Sequence, residues 1–491
     1  MISFFKKLFL ENRSLKQIVA KNTFWLVSAE VISRVLALFL VIYIARILGA
    51  TEYGKFTFAF SFASIMAILC DLGLADISTR EFSRNKENES KLAGILGIEA
   101  ILCFLTLIIA VIGSFFITTD QVIRQSIWIL TLLILSNGFF GIIFSFLRAR
   151  QKMEYEAGIK ILQAFINWAA VFLIIFNIPS VINLSYGYFL SNAIVLIATL
   201  IFFNFYFQKL SLSFDKKNLE ILKISWPLSL GLMIAWIYIS LNSVMLGAFN
   251  LITENGWYNA ASKISIVAIL PASLIIKSFY PVLSSLFVSS KEKLQKAWNY
   301  LMELMILLAL PTVVGGIALS SKIIKSFYGS DFIPSILALQ LLMVAVGISF
   351  LNYPYAAILV VSDHQKRNFG LIIFGAILNI ILNLFLIPMF GFYGTIISTI
   401  ISSLVVFLLT IFYSQKMGLI SPFNKDLFKV SLMSLISSFA MYFVIVSNFI
   451  AGLNIIFVVL IGAFIYCLIL LLFYMIFFPK RLSILKKWKS L

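Results

Sequence analysis

Residues 46–58 read RILGATEYGKFTF, and further along residues 245–262 read MLGAFNLITENGWYNAAS. In both stretches Leu-Gly-Ala closes a long apolar run, and an acidic residue and a Gly beside Tyr follow. Two more echoes run in the same order: Gln151-Lys152 is matched by Gln365-Lys366, and Ile178-Pro179 ahead of Gly187 by Ile387-Pro388 ahead of Gly394. The separation stays at roughly 200 to 215 residues, about six apolar runs, which marks an internal duplication. A unit with an even number of membrane crossings returns the chain to its starting side. The two copies are therefore expected to be parallel repeats about an axis along the membrane normal.

The composition demands a bilayer. Of the 491 residues, 62% are hydrophobic and only 12% charged, with a mean hydropathy of +1.04, which excludes the soluble globular classes. Runs near the roughly 20 residues that span a hydrocarbon core lie at 22–46, 56–79, 92–117, 125–147, 157–177, 181–207, 221–248, 263–288, 298–320, 333–361, 368–389, 393–415, 430–448 and 452–478. The expected fold is thus an all-α polytopic membrane protein of about 14 transmembrane helices. Its parts are an interfacial segment at 1–21, a six-helix lobe at 22–208, a linker at 209–220, a second lobe at 221–416, two additional helices within 417–478, and a basic tail at 479–491. Two lobes facing one another across a central cavity are a transporter architecture.

The net charge of +18 sits in short loops between apolar runs, so it sets orientation and does not point to nucleic acid. With the N-terminus inside, the inner segments carry 30 Lys/Arg and the outer ones six. Both termini are therefore expected in the cytoplasm, and the chain in the inner (plasma) membrane. The first 22 residues interleave Phe4, Phe5, Leu8 and Phe9 with lysines and lack a small-residue cleavage site; they read as an interfacial helix, not a signal peptide. No outer loop has room for a folded catalytic domain, and no phosphate-binding loop of the form G-x-x-x-x-G-K-[ST] occurs. Cys70, Cys103 and Cys467 lie in apolar runs without paired spacing, and read as small hydrophobes. The lone histidine, His364, falls in an inner loop. A non-enzymatic protein without metal or cofactor is expected.

The opening of the chain resembles the oligosaccharide-unit flippases, the polysaccharide export family of the multidrug/oligosaccharidyl-lipid/polysaccharide (MOP) exporter superfamily. The residues concerned are Lys21-Asn22-Thr23, Ala45-Arg46-Ile47-Leu48-Gly49, Glu52-Tyr53-Gly54, Asp71-Leu72-Gly73-Leu74 and Arg80. The repeat layout and span count extend the likeness over most of the chain. The resemblance implies a V-shaped bundle that moves a lipid-linked oligosaccharide, carried on undecaprenyl pyrophosphate, from the inner to the outer leaflet by alternating access. Such a protein works with membrane lipids, a coupling H+ or Na+, and other polysaccharide assembly proteins.

An ionisable side chain deep in a bilayer costs at least about 2.5 kcal/mol, so each one needs a partner, a wet cavity or a function. Arg34 and Lys277 fall at mid-depth, one per half; they are candidate ligands of an anionic head group, Arg as a planar fork and Lys as a compact charge. Glu30 stands one turn from Arg34 and offers a structural pairing compatible with that role. Glu30, Asp71, Glu99 and Glu303 are candidates for ion coupling, with an interfacial carboxylate as the plain alternative for the last three. Asn379 and Asn383 share a helix face, as do Gln163 and Asn167 in the first half; they fit either interhelical hydrogen bonds or sugar hydroxyls, the latter alongside Trp226, Trp236 and Tyr238. Pro227, Pro271, Pro281, Pro311 and Pro354 are expected to interrupt helices. Three rivals remain: a lipid II flippase, a drug/cation antiporter, which requires an anionic cavity, and a membrane polymerase, which requires a large outer loop.

Overall fold

A computed structural model describes residues 15–84, 91–214, 221–222, 225, 240–421, 424–447, 450 and 452–478. The expected interfacial segment (up to residue 14), the basic tail, Trp226, Pro227, Trp236 and Tyr238 lie outside the described residues, and the seventh expected span enters them chiefly at 240–248. The helices are α1 (Leu15–Asp71), α2 (Leu74–Arg84), α3 (Leu92–Ile117), α4 (Gln121–Ala149), α5 (Met153–Asn177), α6 (Val181–Tyr206), α7 (Ile252–Ala268), α8 (Leu270–Ser289), α9 (Lys291–Phe327), α10 (Ser335–Val361), α11 (Gln365–Phe390), α12 (Phe392–Lys416), α13 (Lys425–Val446) and α14 (Ile455–Phe477). No strand occurs among the described residues. Twelve helical segments there are long and apolar enough to cross a membrane. The first of them holds two expected crossings, because α1 bends at Gly49, whose φ of 75° is open to glycine at little steric cost.

Helix ends follow the local chemistry. Asp120 accepts from the backbone N–H of Val122 at 2.8 Å to start α4, and Ser180, Ser290, Asn424 and Asn454 cap α6, α9, α13 and α14 in the same way. The expectation of proline-interrupted helices holds at Pro271, beside the break at Ile269 between α7 and α8, and is corrected at Pro281, Pro311 and Pro354. Pro281, Pro311 and Pro354 sit inside continuous helices, and Pro271 opens α8. A proline removes one backbone donor, and neighbouring helices make that tolerable in a membrane bundle. The stretch 252–262, expected as an outer loop, is the first half of α7.

The chain divides into two compact units, Met1–Gly256 and Trp257–Leu491, where the repeat pattern placed the division at 209–220. The difference has a physical reason: residues 243–256 are hydrogen-bonded to the Gly49 bend region, so the start of the second copy stays with the first unit. The core of the first unit gathers Phe82, Leu92, Ile95, Phe140, Phe146 and Phe203 from α2, α3, α4 and α6. In the second unit α13 and α14 pack on α9 through Leu319, Met441, Ile445 and Tyr466. There the Tyr466 hydroxyl donates to the carbonyl of Leu307 at 2.7 Å and lies 2.8 Å from the Ser434 hydroxyl.

Lys21, expected in the interfacial tail, is buried, with its side chain at 0% exposure. Its ammonium donates to Glu154 at 3.0 Å, and Asn22 donates to the Gln151 side chain at 2.7 Å. The Lys-Asn pair therefore docks the start of α1 on the turn before α5. Removing one partner of a buried pair costs about 3–5 kcal/mol, so Glu154→Ala is expected to lower the melting temperature of the detergent-purified protein sharply. The double variant Lys21→Met/Glu154→Ala should recover much of the loss. A Glu154→Ala protein that melts with wild type would refute the pairing.

Candidate functional site

The two copies of the repeated motif lie against each other within the first unit. Gly54 and Gly256 form the contact: a Cβ on Gly54 would stand 1.9 Å from the carbonyl oxygen of Ile252, and one on Gly256 would stand 2.0 Å from that of Ala50. Such backbone-to-backbone approach is open only to glycine, and small residues are the usual means of bringing membrane helices this close. Thr51 and Thr253 share a hydroxyl hydrogen bond of 2.8 Å. The contact is reciprocal, position for position, as a local two-fold axis requires. One polar latch breaks the symmetry: the Asn255 amide donates to Gly54 O at 2.9 Å and to the Thr57 hydroxyl at 3.2 Å, and accepts from Ser243 at 2.7 Å. The sequence reading recognised the motif but missed these contacts. Their signal was the shared Thr-Glu-x-Gly of 51–54 and 253–256.

The intramembrane charges fall into five settings. Arg34 donates to Glu30 at 2.5 Å one turn away on α1, and both side chains are about half exposed, at 50% and 52%. Lys277 is exposed on α8, and no carboxylate among the described residues pairs with it. Asp71 accepts from the N–H of Ala75 at 3.1 Å and so caps α2 across the turn Leu72-Gly73, both residues having positive φ.

Glu303 of α9 accepts from the Tyr474 hydroxyl and lines a cavity of about 620 Å3 with Lys296, Asn299, Tyr300 and Asp426. Glu99, read from sequence as an ion-coupling candidate with an interfacial carboxylate as the plain alternative, is fully buried beside Cys70 and Cys103. The two cysteines, read as isolated hydrophobes, are thus neighbours, because α1 and α3 pack together.

Asn379 and Asn383 are fully buried. Asn383 donates to Asn379 at 3.1 Å, and Asn379 to Ser402 of α12 at 3.5 Å. Gln163 and Asn167 likewise join α5 to α6 through Asn192 and Ser191. In this conformation Asn379 joins α11 to α12 from full burial, while Gln163 and Asn167 join α5 to α6 and stay partly exposed, at the roughly 0.6 kcal/mol per bond typical of membrane bundles.

Residues 19–287 match the family described as polysaccharide biosynthesis protein. The chain belongs to that family. Within it, the chain is similar to a protein of Haloferax volcanii named as a probable flippase, AglR, with 27% identity over 283 residues. That match takes in 54% of this chain and 56% of the relative, so the chain spans little more than half the length of the curated protein it matches. Two solved structures share the fold. The lipid II flippase MurJ, in an inward closed conformation, superposes with a TM-score of 0.75 at 17% identity, covering 92% of this chain and 98% of that one. An inward-facing multidrug resistance MATE transporter of the MOP superfamily gives 0.65 at 14% identity, covering 79% and 95%. The family member described here therefore has the fold of the MOP exporters and is a multi-pass membrane protein.

Proposed function

We propose that the protein is a flippase that carries a lipid-linked oligosaccharide from the inner to the outer leaflet of the plasma membrane by alternating access. The observation that carries this reading is the reciprocal Gly54/Gly256 contact. It packs backbone against backbone and adds exchangeable hydrogen bonds at Thr51–Thr253, Ser243 and Asn255, the kind of contact that can open and close in a cycle. The family match and the flippase-named relative support the substrate class. Lys277 and Arg34 hold the pyrophosphate of the carrier, with Glu30 as the group Arg34 leaves to do so, while the polyprenyl tail stays in lipid. Glu30, Asp71, Glu99 and Glu303 are the carboxylates available to couple transport to H+ or Na+. The inner face carries the basic loops and both termini.

The test is a cross-link. In a background with the native cysteines replaced by Ala, Thr51→Cys/Thr253→Cys is expected to form a disulfide under oxidation that stops translocation of a fluorescent lipid-linked oligosaccharide in proteoliposomes. Reductant should restore it. A cross-linked protein that transports at the uncross-linked rate would show that the contact does not open. The likeness to a lipid II flippase favours a second substrate, the peptidoglycan precursor; transport of that lipid in the same vesicles, with none of the oligosaccharide lipid, would select it.

A further inference from the structure

We propose that Cys70, Glu99 and Cys103 form a binding site for a thiophilic divalent cation of the zinc or cadmium type. Cys70 comes from the end of the second limb of α1, while Glu99 and Cys103 lie one turn apart on α3. The Cys70 sulfur is 2.7 Å from that of Cys103 and 3.1 Å from Glu99 Oε1, and the Cys103 sulfur is 3.8 Å from the same oxygen. One ligand atom from each residue lies within 4.8 Å of the others. Two soft thiolates and a carboxylate are a donor set that selects zinc-like ions over calcium or magnesium.

The surroundings are those of a built site. All three residues are buried, Glu99 at 0% exposure, and its Oε2 has no hydrogen-bond partner among the described residues. A buried carboxylate oxygen left without a donor is costly, and a cation beside it removes that cost. Gly138 of α4 makes the room: a Cβ there would stand 1.7 Å from Glu99 Oε1 and 3.3 Å from the Cys70 sulfur. A cavity of about 470 Å3, lined by Cys70, Asp71, Asn137 and Gly138 among others, reaches the cluster. It supplies a route for the ion and a water for the fourth position. Tetrahedral coordination holds two sulfurs about 3.8 Å apart, so the thiols spread by about 1 Å as the ion enters and release their protons to water. The bound ion ties α1 to α3 just before the Asp71 turn. The inference does not depend on the transport reading, because what is measured is binding.

The experiment titrates Cd2+ into the detergent-purified full-length protein, kept reduced with a phosphine, and follows the sulfur-to-cadmium charge-transfer absorption. One equivalent per chain is expected, unchanged in Cys467→Ser. The band should vanish in Cys70→Ser and in Cys103→Ser, and Glu99→Gln should keep it while binding at least about tenfold more weakly. Should the cysteine variants not fold, alkylation of wild type read by mass spectrometry takes their place: Cd2+ or Zn2+ should protect Cys70 and Cys103, and a chelator should expose them. A band that survives loss of either cysteine, unchanged affinity in Glu99→Gln, absence of protection, or a Cys70–Cys103 disulfide that forms in place of metal uptake would each overturn the site.

Discussion

Leucine at Gly54 is expected to stop transport and to leave the motif contact open, and leucine at Gly256 to do the same. Each new Cβ would meet a carbonyl oxygen at 1.9 or 2.0 Å, and a backbone atom cannot swing aside as a flexible side-chain tip can. Overpacking of this kind costs typically 1–3 kcal/mol and more when backbone must move; about 3 kcal/mol shifts a two-state equilibrium by roughly 150-fold. A membrane-impermeant maleimide applied to a cysteine at Thr57 reports the change, since that position is buried beneath Asn255 when the copies are packed. Both leucine variants should label faster and transport less. Normal transport with unchanged labelling in either would mean that the tight approach is incidental to the cycle.

Lys277→Gln is expected to cut translocation by about 10- to 100-fold, with membrane abundance unchanged, because a charge-assisted hydrogen bond contributes roughly 1.5–3 kcal/mol and Lys277 has no carboxylate partner among the described residues to explain it otherwise. Arg34→Gln is less simple, since it also strands Glu30. The informative variant there is Glu30→Gln/Arg34→Gln. If Arg34 serves only its helical neighbour, the double variant transports as wild type; if it holds phosphate, the double variant fails as Lys277→Gln does. Full activity in both Lys277→Gln and the double variant would remove the cationic head-group site altogether.

Much of this molecule was legible in the sequence because membrane crossing imposes a strong one-dimensional signal. Apolar runs of sufficient length become helices, and their ends fall near the charged loops. The repeated Leu-Gly-Ala and the paired amides at 163/167 and 379/383 were visible as patterns, since both depend on spacing along one chain segment. What spacing cannot report is which helix lies next to which. Cys70 and Cys103 are 33 positions apart and Glu99 sits one turn before the second, so only the packing of α1 on α3 brings them together. Lys21 looked like one more interfacial charge until the turn at 151–154 closed over it. The prolines divide: Pro271 stands at a helix break, while at Pro281, Pro311 and Pro354 the helix runs through, because neighbouring helices in a bundle can satisfy what a proline leaves unbonded, and no spacing reports those neighbours.

The motif contact carries a trace of descent. In a protein made of two identical halves, position 53 would face Thr57's counterpart just as position 255 faces Thr57, and the interface would own two latches or none. After duplication the first copy settled on Tyr53, which is buried, and the second on Asn255. The amide hydrogen bonds to Gly54 and Thr57 thus come from the second copy's Asn255, a fastening that can change without a matching change at position 53.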